Sequence, residues 1–401
     1  MTFVYRYTMP RRNAYAGFAV FGAFWGAWGA SVPAIRDQAA VTDGQLGTAL
    51  LFIGVGALPA MLLAGRAVDR WHERATAALL TLLGLVGVGV VLAARDFPGL
   101  ALSLVLLGAT SGGADVAINT AAGSAQRAHG GPVVTRAHAT FSAAVVVASL
   151  TTGALHAADF GIATPFVAVA AGAVVVAGMI LATPRDDPGA GEAPTSPGAK
   201  RLRLRPLLVI GGLGALAFAV ENAHQSWSAL YLGDVVGAGA AVAAAGPAVF
   251  AGVVAVTRFG TGSLSGRRPR LALVGGALVA GVGTALVAAA GTLAVALSGL
   301  ALAAAGTAVL FPTLIVVLTA RVPDAVRGAA TSRVTTVAYL GFLAGPVYVG
   351  VWADAVGLPG AMLAVAALAL LLATLAAASV RSGTAAAREA PPLRRDTVPN
   401  H

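Results

Sequence analysis

Twelve stretches of about 20 apolar residues run through this sequence, at 13–33, 45–64, 75–94, 99–122, 136–157, 162–182, 206–232, 240–260, 271–290, 293–319, 330–352 and 358–380. A helix of that length crosses a bilayer with its backbone hydrogen-bonded to itself, where no water can take that part. Charged residues make up only 10% of the chain, against roughly 25% in soluble domains, too few to cover a water-facing surface. The absence of cysteine excludes a disulfide scaffold, zinc–thiolate sites and iron–sulfur clusters. The first stretch follows Arg6, Arg11 and Arg12 in the manner of a signal peptide. It is too long for a signal-peptide core and eleven more follow, so it reads as a retained helix. The expected fold class is an all-α membrane protein with twelve transmembrane helices.

The net charge of +10 and a pI near 11.1 invite a nucleic-acid reading until the charges are placed. With the N-terminus in the cytoplasm, inner segments hold 24 of the 26 basic residues and outer loops only Arg36 and Arg95. This is the positive-inside pattern, and an odd error in the helix count would destroy it. The charge therefore lies beside anionic lipid, and nucleic acid is not an expected partner. Segment 183–205, TPRDDPGAGEAPTSPGAKRLRLR, is rich in Pro, Gly and charge. It reads as a cytoplasmic linker. It divides the chain into an N-terminal six-helix bundle (1–182) and a C-terminal one (206–380), with a disordered cytoplasmic tail at 381–401. Gly65–Arg70 (GRAVDR) and Gly262–Arg267 (GSLSGR) echo each other at matching places in the halves, which fits a duplicated core.

Of sixteen carboxylates, fourteen fall in loops, tails or membrane edges, and Asp115 and Glu221 fall within apolar stretches. A charge at the membrane centre costs roughly 2.5–3.5 kcal/mol on insertion scales, so such residues face a cavity or a partner. Asn119 stands one turn after Asp115 on the same helix face. Glu221, His224, Gln225 and Ser228 recur at i, i+3, i+4 and i+7, a polar stripe on an otherwise apolar helix. The competing reading is structural, a paired carboxylate and interhelical hydrogen bonds worth about 0.6 kcal/mol each. Five or six polar groups including acids favour a wet cavity, to which Trp25 and Trp28 would add an aromatic wall. A carboxylate in such a cavity can load and release a proton as the site faces each side in turn. His224 would share that proton or contact a solute, with His138 a weaker candidate. HExxH, GxSxG and complete GxGxxG motifs are absent, and Lys200 lacks a P-loop before it. No enzyme activity, metal site or cofactor is expected, and energy would come from a proton gradient.

At GRAVDRWHER the chain resembles the major facilitator superfamily: Gly65, Asp69, Arg70 and Arg74 match that family's motif, while His72 stands where a second glycine is usual. The resemblance implies two six-helix bundles about a central cavity lined by helices 1, 4, 7 and 10. It also implies a conformational latch in which Asp69 pairs with a nearby arginine, with Arg127 a candidate, and favours an outward-open state. Trp25–Asp37, Gly112–Asn119, His138–Ser142, Trp227–Leu232 and Tyr339–Pro346 further resemble the bacterial permease group near the fucose permeases. Those are sugar–proton symporters with an acid in helix 4 and asparagine four residues on, as at Asp115 and Asn119. Their second acid, in helix 1, has no counterpart here; Glu221 would serve instead.

The expected function is secondary transport by alternating access. The first reading is proton symport of a small polar, sugar-like solute. Asp115 and Glu221 would carry the proton, and Asn119, His224, Gln225, Trp25 and Trp28 would contact the solute. The alternative is proton-driven antiport exporting an amphipathic compound. The expected partners are a small-molecule substrate, protons and the lipid bilayer. The expected setting is a monomer in the bacterial inner membrane, with both termini cytoplasmic.

Overall fold

The computed structural model describes residues 9–183 and 204–388, which are helical throughout their regular structure and form no strand. The first six helices are α1 (Arg11–Ala39), α2 (Asp43–Trp71), α3 (Glu73–Ala93), α4 (Phe97–His129), α5 (Val133–Ala157) and α6 (Ala163–Leu181). α7 (Leu204–Leu230) runs into a π-helical turn at Tyr231–Val235, and a single turn, α8 (Ala240–Ala243), leads into α9 (Ala245–Arg267). α10 (Pro269–Ala288), α11 (Leu293–Ala308), α12 (Leu310–Thr319) and α13 (Asp324–Arg388) complete the chain.

Each of the twelve apolar stretches falls on this helical framework. The tenth is shared by α11 and α12, and α13 carries the last two. α13 breaks at Gly357, whose φ of 75° and ψ of 167° suit a residue without a Cβ, and Pro359 follows two residues on. Among the described residues eleven helical spans are therefore long and apolar enough to cross a membrane, α13 holding two stretches in one. The linker expected at 183–205 lies outside the described residues apart from its two ends. α13 continues to Arg388, past the expected start of the tail at 381.

Polar residues set the helix ends. At the start of α2, the Gln45 amide donates to the Thr42 hydroxyl and the Thr42 amide donates to the Gln45 side chain, a reciprocal cap. Asp96 caps α4 by accepting from the Gly99 amide. The turn from α2 to α3 is made at His72, with φ of 47°. That backbone favours glycine, which is the physical reason a glycine suits this position.

Lipid is as apolar as the side chains it replaces, so close packing has to hold the helices together. Gly22 and Gly26 of α1 lie against the Phe141 and Val145 carbonyls of α5. Gly341 and Gly345 of α13 lie in the same way against Ala215 and Ala219 of α7. A Cβ at any of these four would drive the backbones apart. The first bundle is tied by α1 on α5, α2 on α4 and α3 on α6; the second by α7 and α10 on α13 and by α9 and α10 on α11. Between bundles, α2 packs on α13, α5 on α8 and α9, and α1 on α7.

Candidate functional site

A cavity of about 300 Å3 lies between the bundles, with walls from α1, α2, α4, α5, α7, α9 and α13. The expectation of helices 1, 4, 7 and 10 holds for three. The tenth stretch, on α11 and α12, supplies no wall residue among those described, and α2, α5, α9 and α13 contribute instead. Both bundles give aromatic wall residues: Phe21, Trp25, Trp28 and Phe141 from the first, Tyr339 and Phe342 from the second. The polar groups are Ser111 and Asp115 on α4, and Asn222, Gln225 and Ser226 on α7.

Asp115 faces this cavity, half-buried. Asn119, one turn on, donates from Nδ2 to Asp115 Oδ1 at 3.0 Å and to the Asp115 carbonyl at 2.9 Å. Asn119 is not among the wall residues described, and its amide holds the Asp115 carboxylate in this structure. Trp25, Trp28 and Gln225 stand where the sequence placed them, on the wall.

The stripe on α7 is rotated from the expected one. Asn222, Gln225 and Ser226, at i, i+3 and i+4, face the cavity; Glu221, His224 and Ser228 turn into the second bundle. His224 is fully buried and stacks on Phe250, ring centroids 5.3 Å apart and planes 4° from parallel. Its Nδ1 lies 2.8 Å from the Val220 carbonyl and its Nε2 3.1 Å from the Thr284 hydroxyl. Both ring nitrogens thus have partners inside the second bundle, and His224 is not among the wall residues described. His138 packs edge-on against Phe18 at 4.9 Å.

Glu221 has a partner the sequence did not give it. Arg258, one of the 24 basic residues counted above to the inner segments, lies within α9, nine residues before that helix ends. Its Nη2 donates to Glu221 Oε1 at 3.1 Å and Oε2 at 3.4 Å. Gln225 donates to the same Oε1 at 3.2 Å, joining the part-buried ion pair to the cavity wall. Arg258 Nε also donates to the Ala308 carbonyl at 3.3 Å. That carbonyl is free because the residue four positions on is Pro312, which has no N–H to give it. The same device recurs in α13. Pro346 frees the Phe342 carbonyl, and Asn222 Nδ2 donates to it at 2.5 Å. Two polar residues, Asn222 on the cavity wall and Arg258 behind it, are thus fixed by carbonyls that prolines on neighbouring helices leave free.

Of the latch motif, Asp69, Arg70 and Arg74 are exposed and Gly65 has open space where a Cβ would stand. Arg70 lies 5.9 Å from the centroid of the Trp71 ring. Asp69 and Arg127 are not paired in this state. Among the described residues no group of three His, Cys, Asp or Glu side chains gathers where it could hold a metal ion.

The pattern has known counterparts. The family model described as Major Facilitator Superfamily matches residues 14–307. An uncharacterized MFS-type transporter of Yersinia pestis is 28% identical over 369 residues, covering 90% of this chain and 93% of its own length. A bacterial homologue of the human lysosomal transporter Spinster, solved inward-facing and occupied, superposes with a TM-score of 0.73 at 19% identity over 92% of this chain and 96% of its own. A D-xylose–proton symporter superposes with a TM-score of 0.69 at 15% identity, over 91% and 96% respectively.

Proposed function

This chain belongs to the major facilitator superfamily, and from that premise we propose that it couples the movement of a small organic solute to protons through Asp115. The observation that carries the reading is the placement of Asp115 on the wall of the central cavity, with one amide donor and no cation beside it. Glu221, the other intramembrane acid, is charge-compensated by Arg258. That leaves Asp115 as the cavity carboxylate with no ion-pair partner among the described residues, able to exchange a proton with whatever fills the cavity.

The wall describes the solute. Trp25, Phe141 and Tyr339 suit a ring or apolar face, and Asn222, Gln225 and Ser226 suit a hydrogen-bonding edge. A sugar-like ring has both, which supports symport of a small polar solute. The preponderance of aromatic over polar wall favours a second reading, proton-driven export of an amphipathic compound. The arginine asymmetry supports cytoplasmic termini, which puts the Arg36 end of the molecule outside and the Asp69 end inside.

The test is external pH in weakly buffered, de-energised cells as sugars, small metabolites and amphipathic compounds are added. Alkalinisation on adding one solute, lost in Asp115→Asn, is the expected result for symport. Acidification, likewise lost, would establish exchange. A solute that moves with an unchanged pH trace in the parent would remove the proton from the mechanism.

A further inference from the structure

We propose that Arg36 and Asp354 form an outer clamp, built so that the polar groups of the first bundle keep partners of their own once the clamp lets go. The clamp spans the two bundles at the end opposite Asp69. Arg36, near the end of α1, donates from Nη1 to Asp234 Oδ2 at 2.5 Å, and Asp234 lies in the π-helical turn after α7. The same nitrogen donates to Asp43 Oδ1 at 3.0 Å, and Nη2 donates to Asp37 Oδ1 at 3.0 Å. Asp37 and Asp43 belong to Arg36's own bundle; Asp234 does not.

A second tie lies beside the first. Asp354 of α13 accepts from the Gly44 amide at 2.9 Å and from the Thr42 hydroxyl at 3.0 Å, at the first turn of α2. A carboxylate there is favoured by the helix dipole and by amides that have no partner within the helix. Between the two ties the backbones touch: Gly47 of α2 lies against Pro346, Val347 and Gly350 of α13. The cavity lies beyond this seal, towards Asp69.

The two ties share a property that an accidental contact would lack. When the bundles part, Arg36 keeps Asp37 and Asp43, so its guanidinium is not stranded. When Asp354 leaves, the Thr42–Gln45 reciprocal cap still serves the α2 N-terminus. Opening therefore exposes satisfied groups on the first bundle, and closing adds Asp234 and Asp354 to them. Arg36 and Asp354 are positioning residues: they touch neither solute nor proton and set how often the outer end opens.

The clamp rests on the alternating-access reading, and on the outer placement of Arg36, which the test separates. The chain has no cysteine, so Ala251→Cys on the cavity wall is a unique reporter. It is labelled with a membrane-impermeant maleimide in right-side-out and in inside-out vesicles. Arg36→Ala and Asp234→Asn should each raise labelling from the outer face about tenfold, the scale of losing one charge-assisted tie. Asp354→Asn should act in the same direction, and Arg36→Lys should restore part of the parental rate. Asp43→Asn should leave outer labelling near the parental rate, because Asp43 holds Arg36 whether the clamp is shut or open. A merely destabilised protein would move all of these one way. The same responses seen from the inner face would keep the clamp and reverse the orientation. Unchanged labelling of Arg36→Ala from both faces, in protein of parental thermal midpoint, would overturn the clamp.

Discussion

Asp115 and Glu221 are both carboxylates inside apolar helices, and their neighbours set them different tasks. Asp115 has a single side-chain amide and faces the cavity. Asp115→Asn should reduce accumulation against a gradient to equilibration while solute exchange persists, measured by tracer uptake and counterflow in proteoliposomes. Intact accumulation would remove Asp115 from coupling. Glu221 is held by Arg258 and Gln225. Removing one member of a buried ion pair costs roughly 3–5 kcal/mol. The Arg258 side chain is 44% exposed, so the cost here should fall below that range. Arg258→Leu should lower the thermal midpoint more than the double variant Glu221→Gln with Arg258→Leu does. The coupling energy expected from such a cycle is about 0.5–3 kcal/mol. Additive effects would show that the pair is incidental, and loss of accumulation in Glu221→Gln would return Glu221 to the proton path.

At the scale of the element, α7 shows what the sequence could and could not tell. The helices were legible because lipid demands about 20 apolar residues whatever they pack against. Which face of a helix meets the cavity is decided by its neighbours. Glu221, Asn222, His224, Gln225, Ser226 and Ser228 lie close enough together that two polar stripes, about 100° apart, can be drawn through them. The expected stripe took the acid and the histidine; packing of His224 on Phe250 and Thr284 turns the other outward. Arg258 was counted with the loop charges because the positive-inside rule reads an arginine near a helix end as a topology signal. Pro312 and Pro346 were the available clue, since a proline inside a helix leaves a carbonyl that some donor must meet. The likeness to the fucose permeases still rests on the sequence segments alone. Pro346→Ala should restore the bond to the Phe342 carbonyl and release Asn222. An interior proline costs a helix about 3 kcal/mol, so the thermal midpoint should rise. Turnover should fall as the wall loses a fixed hydrogen-bonding group. A lowered midpoint would mean that Asn222 and the bend have become necessary to the packing.

Across the whole molecule, α2 links the two ends. Its first turn sits in the clamp at Thr42 and Gly44. Asp69, 27 residues on and so about 40 Å away along the helix, stands exposed at the other end. A rigid helix that rocks with its bundle cannot engage partners at both ends at once. With the Arg36 end tied, an unpaired Asp69 is what such a lever requires. Asp69 would find a partner on the second bundle only when the clamp has opened, and would then stabilise the opposite state. Asp69→Ala should therefore lower labelling of the Ala251→Cys reporter from the outer face and slow turnover, while Arg36→Ala raises that labelling. Because both bias one two-state equilibrium, their free energies should add, and the double variant should return towards parental accessibility. Outer labelling that Asp69→Ala leaves unchanged would refute the latch. A double variant no different from Arg36→Ala alone would show that the two ends of α2 do not share one equilibrium.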